Sequence, residues 1–468
     1  MGKCENTAFN LSNSGLASGL LRTTLVIISW WIGTVSAQTA NLTNTQAIDI
    51  VDLNKGASAS GLVSELPGVD NFNLSQAEEL VAQGGRFVET DRYQDAQDAF
   101  ANALLINRVN NGLFNLGQVV VIEHLLNVLL LQRKWPQFDQ QLQYLDWLHH
   151  KVLASEPEQL AASLVKLSDW HRAAAAAIPD SISTWHVIRA KYLNWEVVSI
   201  LEQLYGKQDI RLSPVLYRIV MDHHYQSISN QRRGMTSYDF KTDGKIIVKG
   251  WSLSKNESIR RSYNIGLENL QRIRAIYASS DQASATTDAL MLIHIADWEL
   301  LHGNNARAKR NYQISYQALL TAGESLHQVE NYFDQAVVLP MMDLQVNWQE
   351  ITPRENESLL SYTAWSNVYP GAQKPAELSM GTDGTLLPRF IKRARVQVNL
   401  GVINNDSADG NDFGYRVTGL NIVDYVPEEP DFFNRIFEEV PRLQFRPKIV
   451  AGEVTNHETV LMNYIFAN

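Results

Sequence analysis

The chain has 468 residues, of which 45% are hydrophobic and 19% are charged, and its formal net charge at pH 7 is −10. This composition excludes a largely disordered chain, and the length predicts two or three domains. Because no basic stretch dominates this acidic chain, the sequence gives little support to nucleic-acid binding, and we expect no nucleic acid among its partners.

The first 37 residues are typical of an export signal. Lys3 and Arg22 precede an apolar run from Thr23 to Val35, and Val35-Ser36-Ala37 fits a signal-peptidase site. The run has 13 residues, whereas a membrane-spanning helix needs roughly 20. We therefore predict cleavage and a periplasmic location. An uncleaved anchor in residues 1–37 is the alternative, and only then would the protein contact a membrane. Cys4 is the only cysteine, so a cleaved chain would have neither disulfides nor a thiol site.

Residues 74–330 are predicted to form an array of helices. They follow residues 38–73, a polar stretch rich in Ser, Asn and Gly that we interpret as a flexible leader. The small and aromatic residues of the first helix pair are Gly84, Phe87, Ala96, Phe100 and Ala103. Their spacing resembles that of the tetratricopeptide repeat (TPR), in which a small residue lets two helices approach and aromatic residues fill the remaining space. The pattern recurs at Ile295, Ala296, Ala308 and Tyr312.

About ten helices are predicted, mostly in antiparallel pairs, which favours a TPR-like α-solenoid. An irregular helical domain without true repeats is the alternative. Helical periods cover residues 116–131, 159–177, 184–205, 213–229 and 257–277. Between the last two, Asp243-Gly244 separates Phe240 from Ile246, which predicts a β-hairpin. Several tryptophans lie on helix faces, where they would either line a groove or fill space between helices: Trp147, Trp170, Trp185, Trp195 and Trp298.

A small α+β domain is predicted for residues 389–468. Residues 331–388 are interrupted by prolines, and we interpret them as an irregular linker with short strands. Two alternating strands then flank a polar turn at residues 404–412, and Ala394, Val396, Val398 and Leu400 form one face of the first strand. A helix follows, with Phe432, Phe433, Ile436 and Val440 predicted on one face. A short strand at residues 445–450, a turn and a last strand to Phe466 complete the domain.

This C-terminal pattern resembles the C-terminal domain of the TonB energy-transducer family. The matching positions are Val396, Val398, Gly410, Phe433, Phe445-Arg446-Pro447, Gly452, Val454 and Phe466. The resemblance covers roughly a sixth of the chain and implies binding to an outer-membrane receptor by strand addition to the last strand. The candidate partner-binding residues are therefore Val460, Met462, Tyr464 and Phe466. The alternative is that this strand is simply a core or closed-edge strand.

No catalytic, cofactor or metal site is predicted. His149-His150 and His223-His224 are adjacent pairs, and adjacent residues diverge on a helix, so neither pair chelates a metal by itself. Ser252-Leu253-Ser254-Lys255 matches a serine–lysine motif whose partner motifs are absent from the sequence. Asp406 to Asp412 resembles a calcium loop without its final glutamate. We expect a non-enzymatic, periplasmic interaction scaffold that binds a protein such as an outer-membrane receptor or an envelope complex. A membrane-anchored energy transducer and a hydrolase hidden in the helical domain are the alternatives.

Overall fold

The computed structural model describes residues 74–177, 182–233, 239–242, 246–249, 255–334, 336–341, 343–347, 359–363, 391–402, 414–426, 428–451, 453–454 and 457–467. Several sequence-based expectations lie outside these ranges. They are the export signal, the leader, the Ser252-Leu253-Ser254 part of the serine–lysine motif and the acidic turn at residues 404–412.

Helices make up the first part of the described chain. They are α1 Leu74–Glu89, α2 Tyr93–Asn111, α3 Val119–Leu131, α4 Trp135–Val152, α5 Pro157–Ala177, α6 Ile182–Tyr205, α7 Leu212–Arg233, α8 Lys255–Ser279, α9 Ala285–Leu301, α10 Asn305–Thr321 and α11 Leu326–Phe333. The predicted helical array is confirmed, and the five helical periods read from the sequence match α3 and α5 to α8. Strands β1 Asp239–Thr242 and β2 Ile246–Lys249 form the predicted antiparallel hairpin between α7 and α8.

Each helix packs against the next one in the chain, and contacts also join every second helix. These contacts between alternate helices are Asp146–Arg189 for α4 and α6, Arg172–Asp222 for α5 and α7, Glu202–Arg272 for α6 and α8, and His224–Trp298 for α7 and α9. Odd-numbered and even-numbered helices therefore form two layers, as in a stack of helical hairpins.

Two glycines show why the helices approach so closely. A Cβ atom on Gly84 of α1 would lie 2.5 Å from Cε1 of Phe100 on α2. A Cβ atom on Gly266 of α8 would lie 2.0 Å from Cζ2 of Trp298 on α9. Any larger residue would push a buried aromatic ring aside. The small-residue and aromatic pairing predicted for the first hairpin is thus present in the structure.

A six-stranded sheet follows, in the order β3-β7-β6-β5-β10-β4. Its elements are β3 Val337–Leu339, β4 Leu359–Thr363, β5 Ile391–Val402, β6 Tyr415–Val426, β7 Gln444–Arg446 and β10 His457–Ala467, with helix α12 Pro430–Glu439 after β6 and the short pair β8 Ile449–Val450 and β9 Glu453–Val454 before β10. All neighbours are antiparallel except β10 and β4, which are parallel. Strands β3 and β4 come from residues 331–388, the stretch interpreted as a linker. They are too short for an alternating pattern to reveal them.

The core of this sheet matches most of the predicted faces. Ala394, Val396, Val398 and Leu400 of β5 are buried together with residues of α12 and β10. Phe433 is different. Helix α12 buries Phe432 and Ile436, four residues apart, whereas Phe433 points outward. The predicted placement of Phe433 on the buried face is therefore wrong, because a one-residue step turns a helix by about 100°.

Candidate functional site

The α2–α3 patch is an exposed apolar surface at the junction of the first two hairpins. Its members are Val109, Leu113, Phe114, Leu116 and Val120, and all of them are solvent-exposed, with Phe114 56% and Val120 58% exposed. The Phe114 ring lies 5.3 Å from the ring of Trp147 on α4, and Trp147 lies 5.8 Å from Tyr144. Several exposed apolar and aromatic side chains within one short stretch of chain are typical of protein-binding sites.

The loop that carries the patch is held in one conformation by Gln118. This side chain is completely buried. Its amide nitrogen donates to the carbonyl oxygens of Leu113 at 2.8 Å and Asn115 at 3.1 Å. Its amide oxygen accepts from Arg108 Nε at 3.0 Å and from the Tyr144 hydroxyl at 2.9 Å. The patch is therefore pre-organised, so a partner would pay little ordering entropy on binding.

Ionic contacts in the array join neighbouring helices. Arg172 Nη2 lies 2.7 Å from Asp222 Oδ1, both side chains are buried, and Asn194 donates to the other carboxylate oxygen at 2.7 Å. Burial lowers the pKa of Lys191 to about 8, although its ammonium donates to Gln226 Oε1 at 2.8 Å. A charged pair that is buried and hydrogen-bonded on both sides fixes the relative position of α5, α6 and α7.

The C-terminal sheet is joined to the helical array through Arg446 of β7. This side chain is only 2% exposed, and it forms a bidentate pair with Asp297 of α9 at 2.9 and 2.5 Å. Tyr312 of α10 also donates to Asp297 at 2.5 Å, and Arg446 donates to the Tyr332 hydroxyl at 3.1 Å. Burial lowers the pKa of the Arg446 guanidinium, but the charge of Asp297 more than reverses this and holds the pKa well above its ordinary value. The Arg446 guanidinium therefore keeps its charge although it is buried.

The chain between β3 and residue 347 lies across α7 and α9. Tyr217 of α7 donates to the carbonyl oxygen of Met341 at 2.7 Å. His294 of α9 has its Nε2 atom 3.0 Å from the carbonyl oxygen of Gln345 and 3.1 Å from the Gln345 amide nitrogen. Helices α7 and α9 therefore hold the backbone of the same chain at Met341 and Gln345.

The predicted partner-binding strand, β10, lies inside the sheet. Val460, Met462 and Tyr464 are buried, and Phe466 is paired with Lys392 of β5. Strand β5 pairs with one edge of β10 over residues 457–467, and β4 pairs with the other edge over residues 461–465. Strand addition would use the edge of β10 that does not pair with β5. In this structure, β4 pairs with that edge in parallel and so occupies the place of a partner strand.

The surroundings of the two histidine pairs shift the pKa values of all four side chains. Burial lowers the pKa of His223 to about 2 and that of His224 to about 3. His149 is buried, and burial lowers its pKa to about 4. His150 faces Asp146 of its own helix and lies 2.8 Å from Glu196 of α6. Hydrogen bonds, first to Asp146 and then to Glu196, raise its pKa to about 10. His150 is therefore a cation that joins α4 to α6.

Two further properties concern the described residues alone. None of the helices in the described ranges combines the length and the apolar character needed to span a membrane. No group of three or more His, Cys, Asp or Glu side chains among the described residues is arranged so that it could hold a metal ion. Among the predicted tryptophans, Trp170 and Trp298 are buried between helices and Trp147 borders the α2–α3 patch.

Comparison with known proteins finds similarity among solved structures. No family model matches the chain, and no curated protein matches it. Among solved structures, it is similar to nearly identical TPR-like repeats assigned to a kinesin light chain of Podosopora anserina, with 13% identity, a TM-score of 0.33, and coverage of 54% of this chain and 99% of the other. It is also similar to BtubC (BKLC) of P. vanneervenii, with 10% identity, a TM-score of 0.23, and coverage of 54% and 91%. Both TM-scores are low, so the description of the array rests on the helix contacts given above.

Sequence reasoning missed the α2–α3 patch and the Arg446–Asp297 pair. The patch had a signal in the sequence, because Leu113, Phe114 and Leu116 stand in a loop with Gly112 and Asn115, where polar residues are usual. The Arg446–Asp297 pair had no signal in the sequence, because 149 positions separate the two residues.

Proposed function

We propose that this protein is a non-enzymatic interaction scaffold whose helical array binds a protein partner at the α2–α3 patch. The observation that carries the proposal is an exposed aromatic and aliphatic surface held rigid by the buried Gln118 amide. A surface that is apolar, exposed and pre-organised costs the free protein solubility, so it is expected where a partner covers it. Trp147 and Tyr144 at its border are the residue types that most often contribute binding energy.

The finer part of the proposal concerns the C-terminal domain and the location. We propose a TonB-like domain in residues 389–468 and a periplasmic protein. The order of β5, β6, α12 and β10 supports the first point, and the export-signal pattern in residues 1–37 supports the second. The occupied edge of β10 favours a scaffold over an energy transducer, because a receptor strand would first have to displace β4. Mass spectrometry of the N-terminus tests the location, since cleavage predicts a first residue of Gln38.

The interaction surface is tested by cross-linking in cells with three forms of the chain. They are the wild type, Phe114→Ser/Val120→Ser, and Leu326→Ser, which removes a comparably exposed apolar residue from α11. All the replaced side chains are exposed, so each variant is expected to fold, and circular dichroism checks this. The proposal expects a cross-linked protein that is present with the wild type and Leu326→Ser and lost with the double variant. An identical set of cross-linked proteins for all three forms would refute it.

A further inference from the structure

Helix α12 carries apolar side chains on two faces, one buried against the sheet and one exposed to solvent. Phe432 and Ile436 are buried against the sheet, as one buried face requires. Phe433 and Phe437 stand on the outer face and are 37% and 44% exposed. A surface helix normally carries polar residues on that face. Among the residues that the structure describes, nothing covers the outer side of these two phenylalanines, which are one turn apart in a ten-residue helix.

The two exposed phenylalanines continue into the ring of Tyr425 on β6, which is partly buried against the sheet core. Tyr425, Phe433 and Phe437 are defined here as the aromatic ridge. The centroids of the Phe433 and Phe437 rings are 5.0 Å apart, and those of Tyr425 and Phe433 are 5.6 Å apart. A phenylalanine buries on the order of 200 Å² when it is fully covered. The two exposed rings therefore leave on the order of 150 Å² of aromatic surface in water, concentrated on one helix face.

The surroundings of the ridge are acidic. Residues 424–439 contain six carboxylates and a single basic side chain, Arg435. Arg435 is already paired with Glu439 at 2.8 Å, and Arg395 of β5 lies 3.7 Å from Asp424, so these two pairs account for two of the six carboxylates. Glu428 and Glu438 are exposed at the two ends of α12. An apolar surface flanked by negative charge favours a partner whose apolar anchors are flanked by positive charge.

We propose that the aromatic ridge binds a basic amphipathic helix of another protein. A helix suits the ridge because Phe433 and Phe437 are one helical turn apart, which matches the groove between side chains of a second helix. Lysine or arginine residues of the partner would face Glu428 and Glu438. A second copy of this chain is disfavoured, because two acidic surfaces would repel each other. The ridge is separate from the α2–α3 patch, so this inference goes beyond the proposed scaffold function.

The test is fluorescence anisotropy of the full chain with a labelled helical peptide that has leucines on one face and lysines on the other. A twin peptide with glutamate in place of lysine tests the charge. Phe433→Gln/Phe437→Gln removes the ridge while keeping good helix formers. Leu326→Gln is the matched control, because it removes a more exposed apolar side chain from α11, outside both proposed surfaces. Glu428→Gln/Glu438→Gln removes the flanking charge.

The expected result is binding of the lysine peptide that the ridge variant weakens by about tenfold or more. The Leu326→Gln control binds like the wild type, the Glu428→Gln/Glu438→Gln variant binds more weakly, and the glutamate peptide does not bind. Unchanged affinity in the ridge variant overturns the proposal, and so does equal binding of both peptides. An equal loss of binding in Leu326→Gln shows that the effect is not specific to the ridge and also overturns it. Preference for an extended peptide of alternating valine and lysine would show that the partner is a strand, contrary to the proposal.

Discussion

Gly84 and Gly85 are adjacent in α1, and alanine at each should change stability in opposite directions. A Cβ atom on Gly84 would lie 2.5 Å from Phe100 Cε1 and 2.7 Å from Cζ, whereas a Cβ atom on Gly85 meets no atom within 4 Å. The Phe100 ring is buried and stacked on His124 at 5.1 Å. It therefore cannot swing away freely, and Gly84→Ala must shift the two helices or strain the ring.

The magnitude follows from two terms. Replacing a glycine inside a helix by alanine stabilises by about 0.5–1 kcal/mol, and this term is common to both variants. Overpacking costs about 1–3 kcal/mol and applies to Gly84→Ala alone. We expect Gly85→Ala to raise the free energy of unfolding by about 0.5–1 kcal/mol. Gly84→Ala should be less stable than Gly85→Ala by about 1–3 kcal/mol, since the shared helix term cancels.

Urea unfolding followed by circular dichroism measures this difference. With a slope of about 2–3 kcal/mol/M, the midpoints of the two variants should differ by roughly 0.3–1.5 M. Hydrogen exchange of α1 and α2 would place the effect in the first hairpin if the array unfolds in parts. In a Phe100→Leu background the penalty of Gly84→Ala should shrink, because a smaller side chain leaves room for the new methyl group. A midpoint for Gly84→Ala at or above that of Gly85→Ala would refute the close-approach argument.

Three further changes test the contacts described above. Arg446→Met should lower the free energy of unfolding by about 3–5 kcal/mol in urea titrations, because it leaves Asp297 buried without its cation. Adding Asp297→Leu to this variant should recover part of the loss, whereas additive losses from the two substitutions would contradict the coupling. Because the pKa of His150 is raised to about 10, its charge stabilises the fold below pH 6.5 and this contribution is lost as the pH rises toward 10. Since this side chain is 35% exposed, the effect is on the order of 1 kcal/mol. Thermal melts of His150→Gln should lack that part of the pH dependence, and parallel curves of melting temperature against pH for variant and wild type would contradict it. Tyr464→Phe removes a hydrogen bond to Glu439 and should cost about 1–2 kcal/mol by calorimetry, whereas an unchanged melting temperature would mean that the bond contributes nothing.

Local sequence patterns predicted many of the helices and strands, because the formation of these elements depends on residues that are close in the sequence. Helical periods gave α3 and α5 to α8, and the glycine and phenylalanine spacing gave the first hairpin. The alternation of Val396 and Val398 gave the buried face of β5. Phe433 could not be placed in this way, because its ring is as apolar as that of Phe432 and only the tertiary structure decides which of the two is buried.

Features made by distant residues could not be predicted. The pairing of β4 with β10 brings residue 359 beside residue 461, and nothing in a strand of five residues specifies that neighbour. The predicted partner strand is therefore an internal strand, and the exposed surfaces lie elsewhere. Arg446 matched a family pattern at Phe445-Arg446-Pro447, yet in this structure its guanidinium is bound to Asp297 of the helical array.

The position of Arg446 near the end of the chain also determines when the helical array can finish folding during synthesis. The last helices, α9 to α11, share a core with Leu339 and Ile449 of the C-terminal segment, and Asp297 finds its cation only in β7. Helices α1 to α8 can stack on the ribosome as they emerge, since each needs only its neighbours. Until residues 444–450 have been translated, the end of the array leaves apolar surface uncovered, and Asp297 has its hydrogen bond from Tyr312 but not its contact with Arg446. A premature stop before residue 444 would therefore release a chain whose helices have formed but whose last hairpin remains open to chaperones and proteases.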